Sequence, residues 1–145
     1  MAQNVNPTFV KTPIWAATQI TTGTGSSVSV TVYTGGANGS KIPGFIATAT
    51  TTAAFDVLWG VTSSATFYLH GTASIPAGAG STNSLPSVNL FNSSNAVGLT
   101  VDSDGNPFLF LASSAHSLTA KMPATSSTWA AGTVVNLVVP SVGDF

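Results

Sequence analysis

An all-β fold, either a single β-sandwich of jelly-roll type or a small β-barrel, is what this 145-residue sequence predicts. Three observations carry the prediction. Apolar residues recur with period two rather than 3.6. Clusters of Gly, Pro, Asn and Ser interrupt them at short intervals, as turns between strands do. The sequence has no Glu and no Arg, so the charged i,i+4 pairs that support exposed helices are missing. The length suits one domain. A hydrophobic content of 43% is the opposite of the polar, highly charged balance that keeps chains disordered.

The elements follow in order. Residues 1–13 read as an extended N-terminal arm and residues 14–145 as the sandwich. In the arm, Asn4, Asn6, Pro7 and Pro13 break regularity, while Val5, Phe9 and Val10 are apolar with no strand or helix period. Apolar residues on irregular backbone suit a segment that packs on something outside its own domain; the alternative is a strand folded back on the parent. Residues 14–21 form the first strand. In 27–33, Val28, Val30 and Val32 share one face and Ser29 and Thr31 the other, the pattern of a half-buried strand. Strands are expected next at 42–50, 55–61 and 66–73, separated by turn signals such as Gly35-Gly-Ala-Asn-Gly39 and Pro76-Ala-Gly-Ala-Gly80. The segments around Val88 and Val97 carry weaker strand signals, and a single helical turn fits within 85–92. Strands at 107–112, 116–122 and 133–139 complete the set. Phe108-Leu-Phe-Leu111 is apolar on both faces, so its second face is covered by a neighbouring subunit or by the chain's own loops.

Charge excludes several functions. Lys and Arg together number 3, Asp and Glu 4, and the net charge is −1. The charged fraction of 5% compares with roughly 25% in ordinary soluble domains. Nucleic-acid binding is not expected, because phosphate neutralisation needs Lys and Arg. With no Cys, disulfides, thiolate metal sites and Cys nucleophiles are ruled out. No run reaches the ~20 apolar residues of a membrane span. The first residues lack a signal-peptide pattern, so synthesis in the cytosol without export is expected. A nearly neutral surface favours association, which suits a protein docked on an assembly.

Candidate chemistry is sparse. His70 and His116 stand alone on their strands, without the His-x-His and Glu of a cupin-type metal site. Asp102-Ser-Asp-Gly-Asn106 has Gly fourth rather than sixth and no closing Glu, so it reads as a turn rather than a calcium loop. No Gly-x-Ser-x-Gly elbow occurs. A glycosidase would need two flanking carboxylates, and of Asp56, Asp102, Asp104 and Asp144, the middle two share one turn and the last lies at the tail. Gly35-Gly-Ala-Asn-Gly-Ser-Lys41 lacks phosphate-loop spacing and joins two strands. No catalytic residue, cofactor or metal is therefore expected. Trp59 alternates with Val57 and Val61 and reads as core. Trp15 and Trp129 sit in less regular contexts, where either could anchor a subunit or stack on a sugar.

The arm 2–13, Ala37-Asn-Gly-Ser-Lys-Ile42, Ile75-Pro-Ala-Gly-Ala-Gly80, Asp102-Ser-Asp-Gly-Asn-Pro-Phe-Leu-Phe-Leu111 and Thr133-Val-Val-Asn-Leu-Val-Val139 are spread along the chain from residue 2 to residue 139. In style the chain resembles the small β-rich virion proteins of tailed bacteriophages, particularly capsid decoration (cement) proteins. The resemblance implies a non-enzymatic protein on the outer capsid surface. It would clamp neighbouring subunits of the major capsid protein, often as a homo-oligomer, with a trimer favoured. Phe9, Val10, Ile14, Trp15 and Trp129 are the expected contact residues. A tail or head–tail connector component and a carbohydrate-binding module are the alternatives.

Overall fold

The computed structural model describes residues 12–21, 28–92, 96–123 and 134–145. Eleven strands and one short 3-10 turn make up the named elements: β1 (Thr12–Thr21), β2 (Ser29–Thr34), β3 (Ser40–Ile42), β4 (Ile46–Ala49), β5 (Phe55–Ser63), β6 (Thr66–Ile75), β7 (Val88–Asn89), the turn Leu90–Asn92, β8 (Thr100–Val101), β9 (Pro107–Leu111), β10 (His116–Lys121) and β11 (Val134–Asp144). The fold is all-β, as the alternation predicts. One sheet has the order β7-β4-β11-β3-β9-β8, with β1 added to β11, and curls into a half-barrel. The second sheet runs β2-β10-β5-β6. Every named strand pair is antiparallel.

β11 organises the larger sheet. One edge pairs with β1 over nearly its whole length, from Thr12↔Asp144 to Thr21↔Val134. The other edge pairs with β4 at Val135–Val138 and with β3 at Gly143 and Asp144. Between Ile14↔Val142 and Ala16↔Val139 the register shifts, so Pro140 and Ser141 both stand opposite Trp15. This bulge gives Pro140 a place inside a long strand, because a residue without an N–H is tolerated where the ladder is interrupted.

Several boundaries differ from the sequence reading: the strand expected at 133–139 runs on to Asp144, and those expected at 55–61 and 66–73 extend to Ser63 and Ile75. The strand expected at 42–50 is split into β3 and β4, because Pro43 cannot donate to a ladder and Gly44 adds a bend; Phe45, fully buried, turns inward between them. Thr12 and Pro13, read as arm, pair with Asp144 and Gly143 in β1.

The core lies between the sheets. Trp59, Phe45, Ile20, Ile42, Leu118, Leu137 and Val139 are among its fully buried side chains. Phe45 meets Trp59 edge-on, at 6.1 Å between centroids, and Phe91 lies 5.2 Å from Trp59, a geometry favoured by the ring quadrupoles. Gly71 makes room for this indole: a methyl there would stand 2.7 Å from Trp59 Nε1.

Candidate docking surface

Period two decides what β1 shows to solvent. Ile14, Ala16, Thr18 and Ile20 turn towards the core, while Pro13, Trp15, Ala17 and Gln19 face out. Trp15 is 65% exposed. Strand pairing extends this outward set sideways, because Gln19 stands opposite Asn136 and Asn136 opposite Thr48. The side chains join in a row: Gln19 Nε2 donates to Asn136 Oδ1 (2.8 Å), and Asn136 Nδ2 donates to Thr48 Oγ1 (3.3 Å). Trp15, Ala17, Thr18, Gln19, Thr48, Asn136 and Val138 line an open groove of about 480 Å³.

A second surface lies where β6, the edge of the smaller sheet, comes near β8, the edge of the larger. Tyr68 is 56% exposed and Phe110 51% exposed. Both line an open depression of about 430 Å³ with Val61, Leu109, Thr100 and the two histidines. Leu69, Val97 and Val101 are also exposed large apolar residues. The outer face of β9 is therefore only partly covered: Lys41 Nζ sits 4.4 Å above the Phe108 ring, while Phe110 has Phe145 at 6.1 Å and is otherwise open.

The histidines that sequence distance kept apart share this depression. His70 stacks on Trp59, with centroids 6.0 Å apart, and its Nδ1–H donates to the Val97 carbonyl (3.0 Å). His116 Nδ1 lies 3.2 Å from Ser113 Oγ. Among the described residues, none that lines the depression is a carboxylate. Among the described residues, no three of His, Cys, Asp and Glu are grouped for a metal.

The aspartates act locally. Asp102 Oδ1 accepts from the backbone N–H of Asn106 (2.8 Å) and of Asp104 (3.0 Å), closing the turn in which Gly105 has φ +81°. These bonds, the one from Asn106 foremost, hold its carboxyl below the ordinary range. Asp144, set aside in the sequence as lying at the tail, holds a structural cluster that sequence reading missed. Its Oδ1 accepts from Tyr33 Oη and Ser40 Oγ, both at 2.5 Å, and Ser40 Oγ accepts from the Gly36 N–H (2.7 Å). Burial, then the hydrogen bond to Asp144, raises the Tyr33 hydroxyl above its ordinary 10.0. The cluster ties β2, β3 and β11 together.

Of the expected contact residues, Trp15 lies in the exposed groove, and Ile14 is half-buried and packs against the core. Phe9, Val10 and Trp129 lie outside the described residues. The Gln19–Asn136–Thr48 row had one sequence signal, since period two puts Gln19 on the face of Trp15; its partners are 117 residues and 29 residues away in sequence. No known protein family, curated protein or solved structure matches this chain.

Proposed function

We propose that this is a non-enzymatic structural protein of a bacteriophage virion, a capsid decoration protein that docks on the outer surface of the assembled head against the major capsid protein. The observation that carries the reading is the exposure of Tyr68 and Phe110 in one open depression, with Leu69 and Val101 also exposed on the edge strands β6 and β8, on a chain with a charged fraction of 5%. Exposed apolar residues at free strand edges are the usual material of association. Nearly neutral neighbours add little charge to desolvate on contact. The arm, with Phe9 and Val10, would add apolar area on docking. Repetition over a lattice, as a homo-oligomer with a trimer favoured, turns modest single contacts into firm attachment.

The test is co-sedimentation of the purified protein with DNA-filled heads that lack it, with the bound copies counted by densitometry. The expected result is saturable binding in lattice numbers, weakened about tenfold by Phe110→Ser combined with Val101→Ser, equivalent to ~1.4 kcal/mol. Binding at only a few copies per particle would favour a tail or connector component instead. No binding to heads would refute the capsid reading.

A further inference from the structure

We propose that the outward groove over β1, β11 and β4 is a binding site for a neutral saccharide. This goes beyond attachment to a virion and rests on different residues. The groove combines the two features that a hydroxylated ring requires. The Trp15 indole, 65% exposed, offers an aromatic face for the apolar C–H side of a sugar. Ala17, next along the outward side of β1, leaves the space beside the indole unfilled. The bulge at Pro140 and Ser141 faces Trp15 from the other strand, and both of its residues are exposed. Below the indole runs the row of Gln19, Asn136 and Thr48.

That row is oriented by its own hydrogen bonds. Gln19 donates one N–H to Asn136, and Asn136 donates one to Thr48. Each primary amide has two N–H groups, and the Gln19 carbonyl and Thr48 hydroxyl have further capacity. Donors and acceptors therefore alternate along one line at fixed positions, as the hydroxyls of a sugar do. Preorganised polar groups bind with less entropy lost on ordering. The volume, about 480 Å³, is within the range of small-ligand sites.

Charge selects the class of ligand. Among the described residues, none that lines the groove is ionisable, so the lining offers no counter-charge to sialylated, sulfated or phosphorylated groups. A protein partner laid on this face would have to satisfy every amide and hydroxyl of the row, because a buried polar group without a partner costs about 1–3 kcal/mol. A saccharide supplies those partners along its length.

The experiment titrates the full-length protein with defined neutral oligosaccharides built on glucose, mannose, galactose and N-acetylglucosamine, following heat and Trp fluorescence, with a sialylated oligosaccharide as the charged control. At least one neutral series is expected to bind in the millimolar range or tighter. Its affinity should fall about tenfold in Trp15→Ala and about threefold in Gln19→Ala, with thermal melting unchanged because both side chains are exposed. Trp15→Phe, which keeps an aromatic face, should retain part of the affinity. Absence of binding by every neutral series, equal binding by Trp15→Ala, or preference for the sialylated control overturns the proposal. Head attachment of Trp15→Ala is measured alongside. Retained attachment is expected, and attachment lost together with an absence of sugar binding would make this groove a protein contact instead.

Discussion

Gly60 has no room for a side chain. A methyl there would collide with the backbone carbonyl of Tyr68, at the point where the β5–β6 register shifts between Trp59 and Gly60. Gly60→Ala should therefore cost about 3 kcal/mol, seen as a lower melting temperature. The turn between these strands can be improved instead. Ser64 and Ala65 have φ of 49° and 63°, the left-handed pair of a two-residue hairpin usually built from Asn-Gly. Ser64→Asn with Ala65→Gly should raise stability by about 1 kcal/mol, measured by denaturant midpoint. Tyr33 makes stability depend on alkaline pH. Its folded pKa is raised, so the native state keeps a proton that the unfolded chain releases near 10.0. The contribution is complete below that pH and is lost as pH rises through the folded value; Tyr33→Phe should remove this fall in a pH series of melts. The Trp59 core position was legible because its neighbours alternate. The Tyr33, Ser40 and Asp144 cluster was not, because its contacts cross 104 and 111 residues, and no local pattern encodes such a meeting.

Strands were read well wherever one face is apolar and the other polar, as in β2 and β5. Reading failed where backbone chemistry overrides side-chain pattern. Pro43 and Gly44 divide a run that looks continuous in hydrophobicity, and β11 passes through Pro140 because a bulge accommodates it. The 102–106 loop was recognisable as a turn from its Asp and Gly, although the carboxylate that closes it is Asp102. Its low pKa means that this closure is present above the ordinary carboxylate range and is lost as pH falls through the depressed folded value. The protection of the Asp104 and Asn106 amides, taken relative to their intrinsic exchange rates, should fall there and stay intact at neutral pH. The position of β1 also fixes how the arm should be removed. Thr12 and Pro13 pair with β11, so deletion of residues 1–11 should leave β-sheet circular dichroism intact while weakening attachment to heads. Attachment equal to that of the intact chain would remove the arm from the docking mechanism.

The two sheets enclose a core that composition alone made certain to exist, and the surface around it inherits the shortage of charge. Attachment to a head should therefore respond weakly to salt, changing less than about threefold between roughly 0.05 and 0.5 M; steep release over that interval would require ion pairs at the interface. What sequence could not supply was lateral position, since Trp15 is seen beside Asn136 and Thr48 only once β11 separates β1 from β4. That arrangement has a consequence for synthesis. The four-stranded sheet is complete once Lys121 of β10 has emerged from the ribosome, but β1, β3 and β4 must wait for residues 134–144 before any of them gains its shared neighbour. Until then the nascent chain holds one finished sheet, while the strands of the other are already translated but lack the central β11 that joins them. Such long-range closure is slow, on the order of milliseconds to seconds, and a chain stalled at this stage is the form a chaperone would meet.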